Sequence, residues 1–190
     1  MRLRDHILQT FADLCVSLAR VNLLARELSR TLEGGAMPDV NDPVGVRHLL
    51  EADFSRWRVL WKGYLAFYRA DVSDEVTDLT FRRLCDGERG MLGLAAAGAD
   101  DSPVGLAHLV FHPATWSASD YCYLEDLYVE PSHRGGPAAG MLFQAIYTEA
   151  RDRGARRVYW HTQQFNGPAR SLYDTVGRLT SLVRYEHLID

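Results

Sequence analysis

Apolar residues outline the elements of this chain before any motif does. Ile7, Phe11, Leu14, Leu18, Val21, Ala25, Leu28 and Leu32 recur at alternating spacings of four and three. That heptad stripe predicts one long helix over residues 3–32. The positions beside the stripe (Cys15, Ser17, Asn22, Leu24, Ser29 and Thr31) carry no charge. A specific coiled coil places charges there, so the pattern fits a helix docked on its own domain or on a sister subunit. A stripe of this length left bare would be adhesive, which predicts a homodimer made or supported by this helix. Glu33-Gly34-Gly35 ends the helix, and residues 36–43, rich in Pro, Asn and Asp, read as a linker.

From Val44 onward the pattern alternates between strand and helix. Val46–Leu50 is a short strand candidate. Asp53 is a candidate cap for a helix whose apolar stripe carries Trp57, Leu60, Trp61, Tyr64, Leu65 and Tyr68. Asp74 is a candidate cap for a second helix ending near Leu84. Two strands, Met91–Ala97 and Val104–Phe111, flank the turn at residues 98–103. Tyr121–Val129 has the strongest strand pattern in the chain. After the turn at residues 131–136, a helix is expected over Ala138–Arg153, stopped by Gly154, and then a strand over Arg157–His161. Pro168 suits the first turn of a helix running through Tyr173 to Val176 and closed by Gly177. A last strand is expected over Leu182–Leu188. The expectation is an α/β protein with a helical extension and linker at 1–43 and a domain at 44–190.

Composition narrows the classes. A chain of 190 residues can bury roughly 70% of the surface its unfolded form exposes, enough for a core without staples. Lys and Arg number 21 against 25 Asp and Glu, a formal charge of −4, which argues against a general affinity for nucleic acid. Cys15, Cys85 and Cys122 are an odd, scattered set. They form neither a disulfide framework nor a CxxC site and fit a reducing cytoplasm. No apolar run approaches the roughly 20 residues of a membrane span. His108 and His112, four residues apart on one strand, are separated by roughly 13 Å, too far to share a metal ion, so no metal site is expected.

The strand over 121–129 is followed by Arg134-Gly135-Gly136-Pro137-Ala138-Ala139-Gly140 at a helix start. Small residues let a ligand approach the backbone, the helix start offers unpaired N–H groups and positive partial charge, and Arg134 adds a cation. Together these suit a pyrophosphate. Neither GxxxxGK[ST] nor GxGxxG is present.

Three segments, Tyr123-Leu124-Glu125-Asp126-Leu127-Tyr128-Val129, Arg134 to Gly140, and Asn166-Gly167-Pro168-Ala169-Arg170-Ser171-Leu172-Tyr173, resemble in order and spacing the GCN5-related N-acetyltransferase (GNAT) superfamily. The resemblance covers about residues 45–188. It looks closest to the branch of spermidine/spermine and small histone- and polyamine-acetylating enzymes, which the aromatic helix Trp61 to Tyr68 and the stretch Tyr159 to Gln163 also resemble. The family pattern Arg/Gln-x-x-Gly-x-Gly/Ala is broken at Pro137, which stands at the central Gly and has no N–H to offer a phosphate.

The resemblance implies a mixed, mostly antiparallel twisted sheet flanked by helices, with the N-terminal helix as an addition. It also implies acetyl-CoA as acyl donor, with no metal. Leu127, Tyr128 and Val129 would pair their backbone with the pantetheine arm. Arg134, Gly135, Gly136, Ala138, Ala139 and Gly140 would hold the pyrophosphate. Asn166 would bond the cofactor, and Tyr173 would sit near its sulfur.

The acceptor would be a small-molecule or peptide amine. An alkyl amine, with a pKa near ~10.4, must lose a proton before it attacks a thioester. Glu125, read as sharing a strand face with Tyr121, Tyr123, Leu127 and Val129, is the candidate base. Asp126, facing the other way unless a bulge turns it, is a candidate anchor for a cationic amine. Tyr173 is the candidate donor to the leaving thiolate, and the Tyr128 N–H the candidate oxyanion donor. Asp71, Asp74, Glu75 and Asp78, four acids in eight residues, add to the expectation of a cationic acceptor. Two other readings stand beside this one: an acyl-CoA-binding module without catalysis, favoured by Pro137, and an interaction protein acting through the N-terminal helix.

Overall fold

A computed structural model describes residues 44–189. The helix expected over 3–32 and its linker lie outside the described residues. One five-stranded sheet has the order β1 (Gly45–His48), β2 (Met91–Ala97), β3 (Pro103–His112), β4 (Tyr121–Val129) and β5 (Arg157–Trp160). Pairing is antiparallel from β1 to β4, and β4–β5 is parallel.

The near-continuous apolar runs of β2 and β3 follow from burial on both faces. Helices α1 (Phe54–Tyr68) and α2 (Asp74–Asp86) cover one face, where Trp57, Leu60, Trp61, Phe81 and Leu84 pack on Ala95 and Leu106. Helix α3 (Ala138–Asp152) covers the other, setting Leu142, Phe143, Ile146 and Ala150 against Leu94, Ala107, Leu109, Cys122 and Leu124. Each fully buried Leu, Ile or Phe among them contributes about 1.5–3 kcal/mol. Helix α4 (Gly167–Val176) joins the α3 side through Leu172, Tyr173 and Val176. Gly63, inside α1, is placed by contact: a Cβ there would overlap the Tyr128 hydroxyl.

Three local expectations are corrected. Ser73, not Asp74, caps α2, its hydroxyl accepting from the Val76 N–H at 3.2 Å. Asp74 is the first helical residue and pairs with Arg58 at 2.5 Å. Asp53 stands at the start of α1, but its carboxylate accepts from the Leu50 N–H at 2.9 Å and from Arg47 at 2.6 Å, tying β1 to the helix entry. Residues 182–188 form no strand. Leu182, Val183, Tyr185 and Leu188 are all exposed, because this segment finds no neighbouring strand within the described residues to take its N–H and C=O groups.

Candidate active site

Two irregularities of β4 make the site. The first is a break in register. Leu109 pairs with Leu124 and His108 with Asp126, which leaves Glu125 as the extra residue of a β-bulge. The bulge resets the facing of everything after it. Cys122 and Leu124 face α3, and beyond the bulge Leu127 and Val129 do so as well, while Tyr128 packs on the α1 side. The expected common face of Glu125, Leu127 and Val129 is therefore corrected. Asp126 is turned onto the α1 face, beside Tyr123, and it is the neighbour of Glu125 there.

The second irregularity is a splay. Strand β5 pairs with β4 only over Tyr121–Leu124, so residues 125–129 have one edge without a strand partner. The Glu130 N–H donates to the Val104 carbonyl, toward β3, at 2.9 Å. Strand alternation then points the Tyr128 N–H toward β3 as well, and the Leu127 and Val129 N–H groups to the open edge. The Val129 carbonyl confirms the sense, because it accepts from Arg134 Nε at 2.9 Å. Tyr128 is thus not the oxyanion donor that the sequence suggested; its two neighbours hold the accessible N–H groups.

Past β4 the chain turns through Gly135, whose φ of 81° is the left-handed region that favours glycine. Pro137 is the N-cap of α3, and the first intrahelical bond runs from the Met141 N–H to the Pro137 carbonyl at 3.0 Å. The N–H groups of Ala138, Ala139 and Gly140 therefore have no intrahelical partner. Ala138 is buried as a whole residue, whereas Ala139 and Gly140 are partly exposed, so the reachable end of the helix is at those two positions. A Cβ on Gly135 or Gly140 would meet nothing within 4 Å, so the turn is open to an approaching group.

A free β edge running to a helix N-terminus beside a guanidinium matches a long ligand with amides along its arm and a pyrophosphate at its end. The residues present fit acetyl-CoA. Pro137 removes one N–H donor from that cradle. Pro137→Gly is expected to tighten CoA binding by about tenfold, since a bond to a charged group outweighs the backbone freedom that glycine adds. Isothermal calorimetry reads this directly, and weaker binding by the variant would show that proline preorganises the turn.

The acceptor side is acidic and aromatic. Glu125 is solvent-accessible, yet desolvation by the protein packed around its carboxyl raises its pKa. Asp126 adds to the rise, and His108 and then Arg184 of the C-terminal segment oppose it. Burial and then the Asp126 carboxylate hold the Tyr64 phenol well above its ordinary pKa. Burial and then Asp126 raise the Tyr68 phenol as well, opposed by nearby Tyr64 and Thr162, and Thr162 accepts from Asn166 Nδ2 at 3.2 Å. Tyr173 is held edge-on by Phe143 and Trp160, at ring distances of 5.8 and 5.6 Å. Burial, with a smaller contribution from Tyr68, pushes its phenol up to about 12. The site residues of β4, α1 and α4 thus converge where β4 and β5 part. The acids at 71–78 do not join them, since Asp74 is taken by Arg58 and the remainder sit exposed around the start of α2.

Sequence reasoning missed His108, which it weighed only as a metal ligand. Its Nδ1 lies 2.9 Å from Asp126 Oδ2, and its Nε2 accepts from the Trp57 indole N–H at 2.9 Å. The alternation of β3 put His108 on the face of Leu106; only the bulge brings Asp126 opposite it. His112 is engaged elsewhere, with Tyr159 at 2.9 Å.

Comparison with known proteins agrees with this geometry. The model of the acetyltransferase (GNAT) family matches residues 57–177. The D-amino-acid N-acetyltransferase HPA3 of Saccharomyces cerevisiae is 31% identical over 148 residues, which are 77% of this chain and 92% of that protein. A thialysine N-epsilon-acetyltransferase of Caenorhabditis elegans is 34% identical over 76 residues, 40% of this chain and 47% of that one. The solved structure of an aminoglycoside N-acetyltransferase, AAC(6')-Iy, in complex with CoA matches with a TM-score of 0.67 at 18% identity, over 80% of this chain and 99% of its own. That likeness concerns the fold alone. With the family model spanning most of the described residues and one relative aligned over nearly its whole length, the chain belongs to the acetyltransferase (GNAT) family and is an acetyl-CoA-dependent N-acetyltransferase.

Proposed function

We propose that this enzyme acetylates a cationic primary amine, such as a polyamine or a lysine-type side chain, by direct attack within a ternary complex. The observation that carries the reading is the carboxylate pair Glu125 and Asp126, set by the bulge at the point where the free edge of β4 begins. Two relatives whose names describe amino-acid and thialysine acetylation point the same way.

Bound acetyl-CoA supplies the thioester acetyl. Leu127, Val129 and the start of α3 bind its arm and pyrophosphate, and Tyr128 supports that edge from the α1 side. Asn166 borders the arm. Asp126 holds the incoming ammonium. Glu125, whose raised pKa makes it a better proton acceptor near neutrality, takes the amine proton directly or through water. The Leu127 N–H, on the open edge, faces the oxygen on which charge develops. Tyr173, protonated at all ordinary pH values, returns a proton to the thiolate.

The test is an acceptor panel with thiol release as readout. Spermidine and lysine peptides are expected to react, with KM rising as salt screens the two carboxylates. Exclusive use of neutral or anionic amines would overturn the cationic assignment. A form that binds CoA and turns over no acceptor would restore the reading of a binding module, which Pro137 alone favours.

The assembly read for this chain is a homodimer in the cytoplasm, with residues 1–43 as an extension on a domain at 44–190. Its support is the exposed apolar C-terminal segment, where Leu179, Leu182, Val183, Tyr185, Leu188 and Ile189 are each at least 74% exposed, together with unpaired thiols at Cys85 and Cys122. Removing residues 179–190 is expected to lower the sedimentation mass from two chains to one; a truncated chain that still sediments as a dimer would remove that support. Among the described residues no helix is long and apolar enough to cross a membrane.

A further inference from the structure

We propose that Trp57 and His108 are positioning residues that hold Asp126 in one orientation toward the acceptor's ammonium, a reading that rests on the proposed amine acetylation. An indole N–H donates and never accepts, so the 2.9 Å bond from Trp57 Nε1 to His108 Nε2 requires that Nε2 carry no proton. The single imidazole proton is then on Nδ1, where it donates to Asp126 Oδ2 at 2.9 Å. Donor and acceptor chemistry alone assigns the tautomer.

The arrangement is rigid. His108 is 2% exposed, and the rings of Trp57 and Trp61 stand 5.8 and 5.4 Å from it. Both imidazole nitrogens are engaged, so the ring has little freedom to turn. It fixes one oxygen of Asp126, and Asp126 is 13% exposed, enough to present its other oxygen.

Aromatic hydroxyls and one further acid face this pair. Tyr64 and Tyr68 of α1 and Tyr123 of β4 have pKa values raised by burial and are neutral. Glu125 adds negative charge. On the outer side stand His161 of the β5 end, whose pKa is lowered by burial, and Arg184 of the C-terminal segment.

Two readouts test the latch in the full chain. Imidazole nitrogen NMR is expected to show the His108 proton on Nδ1. With spermidine as acceptor, His108→Leu, lacking the donor, should raise KM on the order of tenfold at nearly constant kcat and CoA affinity. His108→Asn keeps an N–H donor near Nδ1, so its KM should stay within a few-fold of the parent. Trp57→Phe, which leaves Nε2 without its donor, should raise KM by less than His108→Leu. A His108 that carries its proton on Nε2, or a His108→Leu enzyme with the parental KM, overturns the inference and leaves the acetyltransferase assignment intact. Absence of amine acetylation by the parent overturns the proposed function, while the nitrogen spectra still decide the latch.

Discussion

Replacing Tyr173 by Phe is expected to lower kcat by about 10²–10⁴-fold while leaving CoA affinity nearly unchanged. The ring survives the change, and with it the edge-on packing on Phe143 and Trp160 that positions the residue. Only the hydroxyl is lost. A thiolate whose parent pKa is near ~8.5 leaves far more readily when a proton reaches it. The Tyr173 phenol, pushed up to about 12 by burial, holds its proton until one is needed. Pre-steady-state thiol release separates chemistry from product loss. A Tyr173→Phe enzyme with parental kcat would mean that another group donates the proton.

Glu125→Gln is expected to lower kcat/KM on the same scale for an acceptor that arrives as an ammonium. Burial and Asp126 raise the Glu125 pKa, so the parent's kcat/KM should fall with decreasing pH at values above the ordinary carboxylate range near ~4.3. The Gln form should lose that limb. The stability sign is opposite. A folded-state pKa above the unfolded one favours the fold below the unfolded pKa, and that gain is lost as pH rises through the folded pKa. At neutral pH, Glu125→Gln should therefore melt at a temperature equal to or above the parent's. A lower Tm would place Glu125 among structural carboxylates, and an unchanged kcat/KM would show that water alone takes the proton.

Most of the sheet was legible because its strands carry apolar runs bounded by turn residues: Met91–Ala97 and Tyr121–Val129 end where the pattern says they end. The helix over Ala138–Asp152 was equally plain from its small-residue start and Gly154. The tail was not. Leu182 to Leu188 has strand-like residues, but a strand exists only where another offers its edge, and no local pattern records that.

The site was legible as residues and illegible as directions. Glu125 and Asp126 stand out as acids inside an apolar strand, yet strict alternation assigns Asp126 and the residues after it to the wrong faces, because one extra residue in β4 reverses all that follows. The same irregularity hid His108, whose partner across the sheet depends on that register. The outward N–H groups at Leu127 and Val129 likewise follow from the hydrogen-bond phase, which a sequence does not display.

The central claim is direct transfer from acetyl-CoA to an amine held at one composite site. Intact-protein mass measured after incubation with acetyl-CoA, before and after adding spermidine, tests it most directly. Direct transfer predicts an unmodified chain at both points, with acetylated spermidine formed only in the second. A chain that gains one acetyl group without acceptor, and passes it to spermidine when added, would contradict it.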